Sequence, residues 1–104
     1  MKVSELKEKI SAYKASESLK DQTVEMVMDS KKYYYSGVKK TNDKAIILVK
    51  RKDFRPFSFE SLENLIVEFN DHSELFLAND ETPDNYTMVT SCFLTDCFFE
   101  LEAS

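Results

Sequence analysis

Apolar residues recur at Val3, Leu6, Ile10 and Tyr13, and the same spacing returns 56 residues later at Phe59, Leu62, Ile66 and Phe69. Steps of three, four and three place each set on one face of a 3.6-residue helix, so both stretches are expected to be helices with a core-facing stripe. The second start is the better marked. Ser58 can cap the free amides, Phe57 and Leu62 occupy the two staple positions, and Glu60 and Glu63 suit the positive end of the dipole. The pattern predicts a helix over 58–70.

A strand-like run follows each helix. Thr23 to Asp29 alternates Val24, Met26 and Met28 with polar or half-polar positions, and Glu74 to Asn79 carries Leu75, Phe76 and Leu77. Two further strands are then expected in each half. Lys32 to Val38 and Lys44 to Lys50 flank the turn Thr41-Asn42-Asp43, while Tyr86 to Phe93 and Cys97 to Glu102 flank Leu94-Thr95-Asp96. The chain thus reads α-β-β-β twice. The fold class expected is α+β: two α-β-β-β units, with the strands in antiparallel sheet and the helices packed on one face. Aligning Ala45, Ile47 and Val49 with Cys97, Phe99 and Leu101 puts Cys97 at an inward strand position. At 104 residues the chain is expected to be a single domain, 1–104, with pseudo-repeats over 1–55 and 56–104.

Charge divides the same two halves. All fourteen Lys and Arg lie in residues 1–55 with eight acidic side chains, a net of +6, whereas 56–104 holds eleven Asp and Glu and no base, a net of −11. Helix 58–70 lacks the Lys that normally alternates with Glu on a solvated face. Such an uncompensated field costs self-repulsion and favours a basic partner surface. The residues expected to meet that partner are Glu60, Glu63, Asp80, Glu81 and Asp84.

The opposite sign is concentrated in Lys31, Lys32, Tyr33, Tyr34 and Tyr35 through Lys39 and Lys40, with Lys50, Arg51, Lys52 and Arg55 beyond. Bases interleaved with aromatics are the chemistry of single-stranded nucleic-acid binding. The bland reading is a solvated hairpin whose tyrosines alternate between core and surface. The acidic total opposes direct binding to nucleic acid, which is ranked below the protein-binding reading.

No catalytic, cofactor or metal signature is present in the sequence, so no enzyme activity, cofactor or bound metal is expected. A single glycine, Gly37, excludes a glycine-rich phosphate loop. Asn79 to Asn85 clusters oxygen ligands without the glycine and spacing of a calcium loop, and reads as a polar turn. His72, the lone histidine, has only sequence neighbours, which do not make a triad. Cys92 and Cys97 read as unpaired core thiols. The chain enters a charged amphipathic pattern directly, without a leader or membrane span, so a soluble, cytoplasmic protein is expected.

A short opening helix, Val3-Ser4-Glu5-Leu6-Lys7-Glu8-Lys9-Ile10, followed by strands such as Thr23 to Asp29 and Ala45 to Val49, with much Lys and Glu and almost no Gly, resembles small accessory proteins of phages and mobile elements. The likeness lies in composition and element order. It implies an inhibitor of host defence of the anti-CRISPR type, and no residue role follows from it. Together these readings predict a non-catalytic inhibitor or adaptor whose acidic half docks on a basic surface of a host nucleic-acid-handling protein. The alternatives are a homo-oligomer assembled through complementary halves, and single-stranded nucleic-acid binding through residues 31–40.

Overall fold

The computed structural model describes residues 1–16, 22–95 and 98–104. Its elements run α1 (Val3–Ser16), β1 (Thr23–Met28), β2 (Lys31–Lys40), β3 (Lys44–Lys50), α2 (Phe59–Ile66), β4 (Glu74–Asn79), β5 (Tyr86–Leu94) and β6 (Phe98–Ala103). The element order matches the sequence pattern, but the architecture does not. The strands close into a six-stranded barrel in sequential order, so the expected α+β sheet with helices on one face is corrected to a mostly β barrel.

Closure comes from two parallel seams that local sequence does not announce. Within each half the strands form an antiparallel meander, β1-β2-β3 and β4-β5-β6. Each meander alone would leave two open edges, a liability in water. Here β3 pairs in parallel with β4 and β1 pairs in parallel with β6, which removes all of them. The inner faces then enclose one cluster that includes Val24, Met26, Ala45, Ile47, Leu75, Leu77, Val89, Phe99 and Leu101. The tight β1-β2 turn has positive φ at both Asp29 (52°) and Ser30 (66°), the mirror-image geometry that suits the twist of a two-residue hairpin.

Each helix is tied to the other half. Ahead of α1, Val3 N–H donates to the Ser73 carbonyl (2.9 Å) and Leu75 N–H to the Met1 carbonyl (2.8 Å), making a Lys2–Glu74 bridge. Ahead of α2, Phe59 N–H donates to the Gln22 carbonyl (2.8 Å) and Val24 N–H to the Phe57 carbonyl (2.8 Å), around a Ser58–Thr23 bridge. The two straps are equivalent residue by residue. Because β1, β3, β4 and β6 all run the same way, both straps fall at the same end of the barrel, and both helices lie there. Their stripes, Val3, Leu6 and Ile10 from one and Phe59, Leu62 and Ile66 from the other, join the barrel core.

Two boundaries and one alignment also change. Helix α2 ends at Ile66, not at 70, because the chain tightens into three-residue turns, with Glu68 N–H donating to Leu65 and Phe69 N–H to Ile66. That keeps Phe69 buried. Its start follows the sequence: Ser58 Oγ accepts from Ser61 N–H at 3.1 Å, and Phe57 and Leu62 are buried together. The parallel registers, Lys44 to Val49 on Glu74 to Asn79 and Phe98 to Ala103 on Thr23 to Met28, equate Ala45 with Phe99 and not with Cys97. The shift of two residues keeps the same faces inward. Cys97 and Asp96 themselves lie outside the described residues.

A second, small apolar cluster sits on the outer face of the β3-β4 seam, made of Ile46, Phe76 and Ala78 with Leu48 packed against it. Small clusters of this kind form beneath long connections. Here the β4-β5 turn is the cover: Asp80 accepts from Ser36 Oγ (2.7 Å), Lys39 reaches Asp84 (3.0 Å), and the Tyr86 ring meets Phe76 edge-on at 4.8 Å.

Candidate functional site

The two parallel seams are topologically equivalent, yet their outer faces carry opposite chemistry. Where the β3-β4 seam has Ile46, Leu48 and Phe76, the matching positions of the β6-β1 seam are Glu100, Glu102 and Glu25. Strand alternation turns all three carboxylates outward, because their neighbours Val24, Met26, Phe99 and Leu101 point into the core. Glu25 stands directly beside Glu100 in the parallel register, and Glu102 is two residues along the same face. Partial burial pushes the Glu100 carboxyl above the usual range, and the charges of Glu102 and Glu25 push it further, offset in part by Lys32. Among the described residues, Lys32 is the one base that reaches the group. Its ammonium lies 3.3 Å from Glu25 Oε2, an oxygen that is buried and outside hydrogen-bond alignment, and 5.7 Å above the centre of the Phe98 ring.

Of the five carboxylates expected to meet a partner, three are engaged within the chain. Glu63 pairs with Lys14 at 2.9 Å, Asp84 with Lys39 at 3.0 Å, and Asp80 accepts from Ser36. Glu60 and Glu81 are exposed and, among the described residues, in no ion pair. Lys7 with Asp71 and the Met1 ammonium with Glu74 add two further contacts between the halves. Lys7 holds the Asp71 carboxyl below the usual carboxylate range, as Lys44 does for Asp43. Much of the charge split is therefore met inside the molecule, across the same boundary at which the halves pack.

The Lys31 to Lys40 run does not present one continuous surface. Tyr33 and Tyr35 pack on the core, and Tyr35 stacks on Phe57 with ring centres 4.3 Å apart. Lys32 and Lys39 are committed to Glu25 and Asp84. Lys31 and Lys40 are exposed, and Tyr34 meets Phe54 edge-on at 5.2 Å.

Cys92 is a free, buried thiol, and burial raises its pKa, offset in part by Lys9. A raised pKa keeps it protonated and a poor nucleophile at neutral pH. Cys92→Ala is expected to cost about 1–2 kcal/mol of stability through lost packing. A thiol reagent should label Cys92 far more slowly in the native protein than in denaturant, and fast native labelling would contradict the inert assignment. His72 is exposed in the turn before β4, where its own N–H donates to Asn70 Oδ1 at 2.9 Å. In the polar turn after β4, Asn79 Oδ1 accepts from Glu81 N–H at 3.0 Å. Among the described residues no three His, Cys, Asp or Glu side chains converge as metal ligands would. Nor is any described helix long and apolar enough to cross a membrane.

The carboxylates that sequence reasoning missed are Glu25, Glu100 and Glu102. Alternation marks each as outward, but the register that brings Glu25 from the basic half beside Glu100 is a long-range pairing with no local signal. Comparison of this chain with protein-family models, curated proteins and solved structures finds no match.

Proposed function

We propose that the protein is a non-catalytic binding module that docks an acidic outer face on a basic protein surface, of the kind nucleic-acid-handling proteins present. The observation that carries this reading is the Glu25, Glu100 and Glu102 cluster on one outer face, where burial first and then the charges of Glu102 and Glu25 raise the Glu100 pKa. Like charges this close destabilise the free protein, and a cationic partner relieves them. Glu60 on α2 is a further exposed carboxylate, in no ion pair among the described residues. The basic residues Lys7, Lys14 and Lys39 are occupied inside the chain, which favours a different partner over a second copy.

A carboxyl whose folded pKa is raised lowers stability at pH values above its ordinary range, and this penalty vanishes below it. Glu100→Gln is therefore expected to stabilise the free protein at neutral pH, by less than about 1 kcal/mol because water still screens a half-buried group. At strongly acidic pH the gain should disappear. The same substitution, combined with Glu102→Gln, should weaken binding to an arginine-rich peptide and lower its association rate at low salt. Destabilisation by Glu100→Gln at neutral pH, or unchanged peptide binding by the pair, would refute the proposal.

A further inference from the structure

We infer that the loop leaving β3, together with the outer face of β2, forms a second site that binds single-stranded nucleic acid, by stacking a base on Phe54 and neutralising phosphates with Lys50, Arg51, Lys52 and Arg55. The loop leaves the barrel at the end opposite the helices. Phe54 is 64% exposed, an unusual position for a phenyl ring in a chain that buries most of its phenylalanines. Tyr34 meets it at 5.2 Å with the two ring planes nearly perpendicular, so the ring is oriented while most of it stays exposed. Asp53, with φ at 61°, turns the backbone sharply just before it.

The bases around this ring lie outside the ion pairs that engage five other lysines of the basic half. Lys7, Lys14, Lys32, Lys39 and Lys44 are each paired with a carboxylate, but none of Lys50, Arg51, Lys52 and Arg55 is in an ion pair among the described residues. The Arg51 guanidinium lies 5.3 Å from the centre of the Tyr33 ring, a contact that does not neutralise its charge. Tyr34 and Lys50 are direct register partners, and this places a cation next to the ring pair. An exposed aromatic ring among cations outside any ion pair fits a strand of exposed bases and phosphates. Carboxylates are close as well: Asp53, Asp80 and Glu81 share a cleft of about 460 Å³ with Lys50, Arg51 and Lys52. They limit affinity and give the test a control of opposite sign. This site uses none of the carboxylates of the docking face, so each proposal can fail without the other.

Fluorescence anisotropy with a labelled oligothymidylate of about ten nucleotides is the direct test, since such a length covers one small binding surface. Binding is expected at low salt, with a log–log salt slope of about −3 for four released counterions on a single strand. Phe54→Ala should weaken it about fivefold to a hundredfold, the usual range for one stacked base. Arg51→Ala should reduce the slope by about 0.7. Glu81→Gln should tighten binding. Circular dichroism should report the native fold in every variant, because these residues are exposed. The inference is overturned by absence of binding at about 50 mM salt, by Phe54→Ala binding as the parent does, by equal affinity for duplex DNA, or by a stronger association with phosphatidylserine vesicles than with the oligonucleotide.

Discussion

Phe99→Ala is expected to destabilise the protein by about 3–5 kcal/mol, a large share of the roughly 5–15 kcal/mol that holds a domain of this size together. Phe99 is fully buried on β6 and meets two rings edge-on, Phe59 of α2 at 5.3 Å and Tyr13 of α1 at 5.9 Å. It is therefore the residue at which the barrel wall and both helices come together. Removing it loses the transfer free energy of the ring and leaves a cavity that three elements would have to close jointly. Phe93 provides the internal comparison, because it sits on the neighbouring strand but is 39% exposed. Phe93→Ala should cost less than about 1 kcal/mol. Urea denaturation should show a large fall in midpoint for the first variant and a small one for the second, with unchanged slopes. Equal losses would mean that Phe99 is not the packing centre described here.

The second large effect concerns the way the halves interlock. Fragments 1–55 and 56–104 are each expected to be unfolded alone and to recover the native β circular dichroism when mixed. In isolation each fragment would have a three-stranded meander with two open edges, and a helix whose strap lies on the missing half. Chains of this length bury too little surface to offset their entropy without such support. Mixing restores both parallel seams, both straps and the ion pairs Lys7–Asp71, Lys14–Glu63 and Lys39–Asp84. The fragments carry net charges of +6 and −11, so association should be fast at low ionic strength and slow markedly as salt rises. A fragment that folds by itself, or a recombination rate indifferent to salt, would show that the halves are independent and that the charge split has no part in their assembly.

How much of this was legible from residues alone depends on the range of the interaction. The helix stripes, the Ser58 cap and the Phe57–Leu62 staple could be read because all their partners lie within one turn of the chain. The Thr23 start of β1 and the span Glu74 to Asn79 were readable for the same reason, since a strand's two-residue alternation is local. The site was less legible. Asp80, Asp84 and Glu63 look as free as Glu60 and Glu81 in sequence, and only the packed structure shows that Ser36, Lys39 and Lys14 reach them. The aromatic-basic run divided in a way that alternation foreshadowed, with Tyr33 and Tyr35 inward and Tyr34 outward. That Phe54, twenty residues later, would meet Tyr34 could not be read locally.

The sequence by itself determined the order of elements, the inward face of nearly every strand and the opposite net charges of the two halves, because each follows from residue type and short periodicity. The closure of the barrel was decided only in three dimensions. Parallel pairing of β3 with β4 and of β1 with β6 joins segments from opposite halves and is set by shape, edge satisfaction and a shared core, none of which has a local code. The same pairing decided which acidic and apolar positions share an outer face. Two seams built to one topological plan thus became an apolar patch under a turn in one case and an outward-facing, half-buried row of carboxylates in the other.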